Sequence, residues 1–285
     1  MISPRILRRR IRSIQNTAKI TRAMEMIATA RMRKAQEQAL SGRPYSEKIG
    51  QIIADLAIQF SSGGSLHPLL ETREVKKIAI VHITTNRGLC GGLNANLNRN
   101  ASNFILEKAI PVSLITVGSK GRDFMRRSRC NIYAEFTDIS DRPSLLETLP
   151  ISRIIIDEYI AGNIDRVYVS YPKFINLMVQ QPTLETLLPV EPAIVPKSES
   201  TEYIYEPHAT YVLGELLPRF VEMKIYHAII ELMASEQSAR MIAMRSATDN
   251  ANELITDLTL VMNKARQDMI TKELLDISGG VEALH

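Results

Sequence analysis

The sequence predicts an α/β protein combined with a long antiparallel two-helix coiled coil: N- and C-terminal helices form the rod, and the middle forms a Rossmann-like, mostly parallel sheet domain. Three observations lead there. At both ends of the 285-residue chain, apolar side chains recur in alternating steps of three and four. Between them, short β-branched runs alternate with stretches of helix length. Charge is also segregated, since residues 1–43 carry 11 basic and 2 acidic groups while residues 215–285 carry 7 and 11. Helical ends of opposite net charge favour lying side by side. The expected division is residues 1–60 for the N-terminal rod helix, 74–195 for the central domain and 208–280 for the C-terminal rod helix.

The first stripe runs Leu7, Ile11, Ile14, Ala18, Thr21, Glu25, Ala28, Met32, Ala35, Ala39, and only Thr21 and Glu25 break its apolar character. Pro4 suits a first helical turn, with Ser3 as cap. Gly42 and Pro44 weaken the helix, yet Ile49, Ile52, Ile53, Leu56 and Phe60 resume the spacing, so one kinked helix or two abutting ones reach about Phe60.

Strand candidates follow at Val75 to Thr84, at Val112 to Val117 and from Arg166, with Met178-Val179 leading toward a fourth. Leu184 to Val190 is an edge strand or the exit from the sheet. Helices are expected at Leu93 to Ala109, Gly121 to Arg129 and Ser144 to Ala161. Pro189, Pro192 and Pro196, with Ser198 to Thr201, mark a linker.

The second stripe is Met241, Met244, Thr248, Ala251, Ile255, Leu258, Met262, Ala265, Met269, ended by Gly279-Gly280. Leu213, Leu216, Leu217, Phe220, Ile225 and Ile229 carry the helix back to about Thr210, with an irregularity at Pro218. About 65 residues at 1.5 Å each give roughly 100 Å, too long for the chain's own globule to cover. No aromatic residue precedes Tyr45 or follows Tyr226, and the seams use Ala, Met, Thr and Ile. Small seam residues permit a slender pair, and Met adapts to surroundings that are not fixed. Two readings stand: ordinary two-helix packing, or a pair that also presents its outer face to a surrounding partner.

Other chemistry is weakly supported. Cys90 and Cys130 lack zinc or redox spacing and read as small buried thiols. No apolar run reaches transmembrane length, and the Arg-rich start lacks the apolar core of a secretory signal. Asn86 to Asn94 (NRGLCGGLN) is Gly-rich after a strand, but without Lys-Ser or Lys-Thr it reads as a tight structural turn before a phosphate loop. The five histidines show no metal spacing, Asp157-Glu158 makes a weak acidic dyad, and Arg126, Arg127 and Arg129 read as a solvated helix end. No catalytic constellation emerges.

Three long motifs are more specific. IRSIQNTAKITRAMEMIATARMRKAQ near the start, RGLCGGLN in the middle, and ASEQSARMIAMRSATDNANELI with NKARQDMITKELLDISGG near the end resemble the gamma subunit of the F-type (F1Fo) ATP synthase, bacterial type. The resemblance covers essentially the whole chain, with the motifs in order. It implies a central rotor shaft inside a hexamer of alpha and beta subunits, with the central domain against the epsilon subunit and the c-ring. The shaft transmits torque between the proton-driven ring and the catalytic hexamer. It further implies no catalytic residue, cofactor or metal in this chain, and no nucleic-acid partner.

Residue by residue, the resemblance assigns contacts with beta subunits to Met24, Arg240, Arg266, Gln267 and Thr271. Gly88, Leu89, Cys90, Gly91 and Gly92 match the turn at the rotor's foot. Asn86 stands where the family usually has Asp. Cys90 and Cys130 do not resemble the closely spaced regulatory pair of the chloroplast branch. The implied location is peripheral, on the cytoplasmic side of the cell inner (plasma) membrane, with no direct transmembrane span. The competing classes are a basic coiled-coil nucleic-acid-binding or scaffolding protein, which predicts steeply salt-dependent retention on DNA, and an α/β enzyme using NRGLCGGLN for phosphate.

Overall fold

Ile78 to Ile83 (IAIVHI) alternate their side chains between two faces, and all six are buried, so apolar layers cover this strand from both sides. The computed structural model describes residues 3–60, 67–108, 110–137, 139–140, 143–191, 206 and 208–282. In it β1 (Ile78–Ile83) is the central strand of a five-stranded sheet. The remaining elements are α1 (Pro4–Phe60), α2 (Leu93–Glu107), β2 (Val112–Val117), α3 (Ser119–Arg127), β3 (Ile132–Phe136), α4 (Leu145–Ile160), β4 (Arg166–Phe174), β5 (Gln180–Leu188) and α5 (Ala209–Glu282). The strand order is β3-β2-β1-β4-β5, parallel except for β5, which pairs antiparallel with β4.

The chain divides into two compact units, residues 30–239 and residues 1–29 with 240–285. In the first unit the sheet lies between helical layers. Ala79, Val81 and Ile83 face a core shared with α4 (Ile151, Ile155, Tyr159), with α1 (Ile49, Ile53, Leu56) and with α5 (Leu213, Leu217, Val221, Ile225, Ile229, Leu232). Ile78 and Ile80, beside Leu114 of β2, face Ala101 of α2 and Met125 of α3. Glu147 reaches back to the Ser144 N–H at 3.2 Å, closing the start of α4. The Asp165 carboxylate accepts from the Lys76 and Lys77 N–H groups, both at 2.8 Å, and so fixes the entry to β1.

In the second unit, the N-terminal part of α1 packs on the C-terminal part of α5. Leu7, Ile11, Ala18, Thr21 and Ala28 are buried from one helix, with Met244, Thr248 and Ala251 from the other. The two threonines that interrupt the apolar stripes meet, Oγ1 to Oγ1, at 2.7 Å.

Of the two alternatives for the first helix the single one is realised, continuous from Pro4 to Phe60 through Gly42 to Pro44. Other expectations change. Pro218 does not interrupt α5; buried Leu213, Leu217 and Val221 around it hold the helix despite the missing N–H donor. The helix also runs past Gly279-Gly280 to Glu282, since a glycine costs only about 1 kcal/mol relative to Ala and does not by itself end a helix. Met178-Val179 lies in the exposed β4–β5 turn, held by the Asn176 Oδ1 accepting both N–H groups at 2.9 Å, and the strand starts at Gln180. Strand β3 had no counterpart in the sequence reading. Its burial alternates at an edge of the sheet, and only Ile132, Ala134 and Phe136 at period two signal it. The linker from Pro192 to Thr201 lies outside the described residues.

Candidate functional site

The unit formed by residues 1–29 and 240–285 exposes much apolar side chain. On α1, Ile6, Ile20, Met26 and Ile27 lie outside the seam, and on α5 so do Leu254, Leu260, Val261, Met269, Ile270, Leu274, Leu275 and Ile277. A seam of Ala and Thr is narrow, so it covers only one side of each helix. The remaining apolar surface is of the kind that another protein covers. None of it is aromatic. Large rigid anchors that fix one bound orientation are therefore missing.

The threonine bond sets the register. With the helices antiparallel and Thr21 level with Thr248, Ala18 is level with Ala251 and Ile14 with Ile255. By the same stepping, Pro4 at the start of α1 is level with Ala265. From Arg266 onward α5 has passed the described part of α1, and the described side chains of 266–278 are exposed. Arg266, Gln267 and Thr271 stand there, on bare helix. Met24 is half-buried beside the seam, and Arg240, at 8% exposure, is buried. Arg5, Arg8, Arg9, Arg10 and Arg12 are all exposed, an electropositive end to the same unit.

In the other unit the NRGLCGGLN turn is built as structure. Leu89 and Gly91 take positive φ, 63° and 57°; Cys90 turns inward with Leu93 and Leu97 against Ala239, while Leu89 points out. The Thr85 hydroxyl donates to the Arg87 carbonyl at 2.6 Å and accepts from Asn94 Nδ2 at 2.8 Å. Asn86 serves the local structure, because its Oδ1 accepts from the Ser119 N–H at 3.0 Å. Lys120 N–H donates to the Thr85 carbonyl at 3.1 Å and Gly121 N–H to Thr84 Oγ1 at 2.8 Å. A cleft of about 620 Å³ opens here, lined by Thr84 to Arg87 and Gly118-Ser119. Its helix N-terminus already has these three donors satisfied, which leaves little to cradle a phosphate. An amide oxygen at position 86 caps α3 without needing the carboxylate charge.

Two of the other sequence candidates, Arg126 and Glu158, have structural partners. Arg126 pairs with Glu135 at 2.9 Å, and Tyr133 donates to Glu158 at 2.9 Å. Cys90 is buried, whereas Cys130 is only half-buried because it sits in the turn between α3 and β3. Burial pushes the Cys130 thiol up, away from reactivity.

Sequence reasoning missed a polar row inside the sheet. His82 is paired in register with Thr116 and Ser170 on the neighbouring strands. Its ring meets Ser170 Oγ at 3.2 Å and Asn98 Oδ1 at 2.9 Å. Burial lowers its pKa from 6.5 to about 4, against the raising effect of the Asn98 bond. The unfolded chain takes up this proton near pH 6.5, whereas the folded chain refuses it until about pH 4. Stability is therefore full above 6.5 and falls as pH drops toward 4, by about 3 kcal/mol. Urea unfolding at pH 7 and pH 4.5 is expected to show this loss, and His82→Gln to flatten the pH slope. An equal slope in the variant would assign the loss elsewhere.

Comparisons with known proteins bear on the whole chain. The family model described as ATP synthase matches residues 3–284. The sequence is 60% identical over 284 residues to an ATP synthase gamma chain of Dehalococcoides mccartyi, covering 100% of both chains. It is 48% identical over 288 residues to that of a Roseiflexus species, covering 100% of this chain and 99% of the other. The fold is similar to a chain of the Euglena gracilis mitochondrial ATP synthase rotor, with TM-score 0.67, 17% identity, and coverage of 94% of this chain and 98% of that one. It is also similar to a chain of the Tetrahymena thermophila mitochondrial ATP synthase central stalk and c-ring, with TM-score 0.62, 21% identity, and coverage of 80% and 99%.

Proposed function

We infer, from the premise that this chain belongs to the ATP synthase gamma-chain family, that it is the central rotor shaft of an F1Fo ATP synthase. It transmits torque between the c-ring and the catalytic hexamer of alpha and beta subunits, and it is itself non-catalytic. The observation that carries this is 60% identity along the entire length of a gamma chain. It lies peripherally on the cytoplasmic side of the cell membrane. Among the described residues no helix is long and apolar enough to cross a membrane.

The surface of the two-helix unit suits a rotating part. Aliphatic and Met side chains provide contact without a deep anchor, so no one orientation is strongly preferred. The arginines near the N-terminus add an attraction that depends on angle when the surroundings carry acidic groups. Moving one catalytic site from 1:99 to 99:1 takes about 5.5 kcal/mol of differential free energy, spread over such contacts.

Within this reading, Met24, Arg266, Gln267 and Thr271 meet the beta subunits, Arg240 at 8% exposure offers them little surface, and Gly88 to Gly92 form a contact turn of the rotor's foot. The bare helix around Arg266 and the outward Leu89 support that assignment. Residues 1–60 and 208–280 serve as shaft, and 74–195 as the body that engages the epsilon subunit and the c-ring. The direct test is co-purification of the chain with tagged beta and epsilon subunits as one complex; a chain that stays free of both removes the reading. A finer expectation concerns Met24→Lys. A half-buried position lets Lys lay its stem along the pair and place its ammonium outside. An added ion pair with an acidic beta segment then lowers proton pumping per ATP hydrolysed in inverted vesicles, and unchanged pumping excludes that contact.

A further inference from the structure

We propose that Thr21 and Thr248 are the register lock of the two-helix unit, positioning residues that keep α1 and α5 from sliding past one another under torque. Both are buried, at 9% and 8% exposure, and their hydroxyl oxygens lie 2.7 Å apart across the seam. Each hydroxyl also has a carbonyl of its own helix within reach, Met244 for Thr248 at 2.9 Å and Ala18 for Thr21 at 3.1 Å, so one of the pair donates across the seam while the other donates to its own backbone. A continuous chain of hydrogen bonds thus ties the side chain of one helix to the backbone of the other.

The remainder of the seam has little power to hold a register. Level with each other are Ala18 and Ala251, Ile14 and Ile255, Ala28 and Met241. A slide of one heptad sets Ala18 against Leu258 or Met244, which still brings apolar to apolar, and residues 1–29 and 240–285 contain no aromatic side chain to interlock them. Within residues 1–29 and 240–285 the hydroxyl pair is a polar rung that distinguishes the native register from its neighbours, as one does in other coiled coils; farther along the same helices Gln38 donates to the Tyr226 hydroxyl at 2.7 Å, and a shared core holds α1 against α5. When the pair is broken, Thr21 retains the Ala18 carbonyl and Thr248 the Met244 carbonyl. The helices therefore persist and lose this cross-tie. Twisting two packed helices drives them past each other along their length, and a seam that slides absorbs the twist instead of passing it on. This last step rests on the rotor reading above; the register itself does not.

The test uses the full chain in its assembled complex. Thr21→Val with Thr248→Val keeps shape and volume and removes both hydroxyls, while Thr21→Ser with Thr248→Ser restores them. Register is read by oxidative crosslinking of Ala18→Cys with Ala251→Cys, the level pair, and with Met244→Cys or Leu258→Cys, the pairs reached by sliding. Peptide mass mapping identifies each disulfide. The Val pair is expected to raise the slid crosslinks about fivefold relative to the level one, the size of one net hydrogen bond. Proton pumping per ATP falls about twofold or more, by the same coupling logic, with hydrolysis retained. The Ser pair behaves as the parent does. An unshifted crosslink pattern overturns the lock, and a shifted pattern with unchanged pumping overturns its role in torque.

Discussion

Gly118→Ala is expected to destabilise the α/β unit by about 3 kcal/mol or more, a larger effect than at Gly121 or Gly214. Gly118 lies between β2 and α3 at φ 93°, where an added Cβ falls 2.1 Å from the Thr84 carbonyl oxygen and 2.7 Å from its carbon. Backbone cannot move aside as a flexible side chain does. The Thr84 segment is also held by its N–H donating to the Val117 carbonyl at 2.8 Å, so relief of the clash breaks the β1–β2 connection. Gly121→Ala meets Thr84 Oγ1 at 2.6 Å and Cγ2 at 2.7 Å, side-chain atoms that can rotate, and is expected to cost less, roughly 1–3 kcal/mol. Gly214→Ala, in α5 with nothing within 4 Å of the added carbon, is expected to stabilise by about 0.5–1 kcal/mol. Urea midpoints of the three variants should rank in that order. A Gly118→Ala midpoint equal to the parent's would refute the close approach.

Cutting the chain before Lys264 is expected to lower proton pumping per ATP about fivefold, at the low end of coupling energies of 1–3 kcal/mol, with little change in thermal unfolding of the α/β unit. Among its described residues the removed segment contributes no side chain to the sheet cores. From Arg266 its described side chains are exposed, Leu274, Leu275 and Ile277 among them at 61–66%. What it offers is apolar surface to whatever surrounds it, so its loss removes contact and spares folding. Pumping per ATP in inverted vesicles and a melting curve of the purified chain separate the two effects. Normal pumping by the truncated complex would make Arg266 and Gln267 dispensable.

Much of this fold was legible because its elements are long or strongly patterned. The heptad stripes located both helical ends, and the β-branched runs located β1, β2 and β4. Strand β3 was not, because an edge strand with Tyr133 and Glu135 facing water carries only half of the apolar signal. The functional surface was legible only through resemblance. Met24, Arg266 and Gln267 are ordinary residues on helices, and no spacing distinguishes a contact with a partner from a solvated face.

By itself, then, the sequence determined periodicity, segregation of charge, absence of aromatics at the ends, and membership through motifs spanning the chain; all are properties of order along one dimension. Tertiary structure decided what depends on distance between residues far apart in the chain. Thr21 and Thr248, which look like blemishes in two apolar stripes, become one hydrogen bond. Asn86 becomes the cap of a helix beginning at Ser119, and His82 becomes a neutral ring because the layers on either side of β1 exclude water. A hydroxyl, an amide or an imidazole has its free energy set by what surrounds it, and those surroundings exist only once the chain has folded.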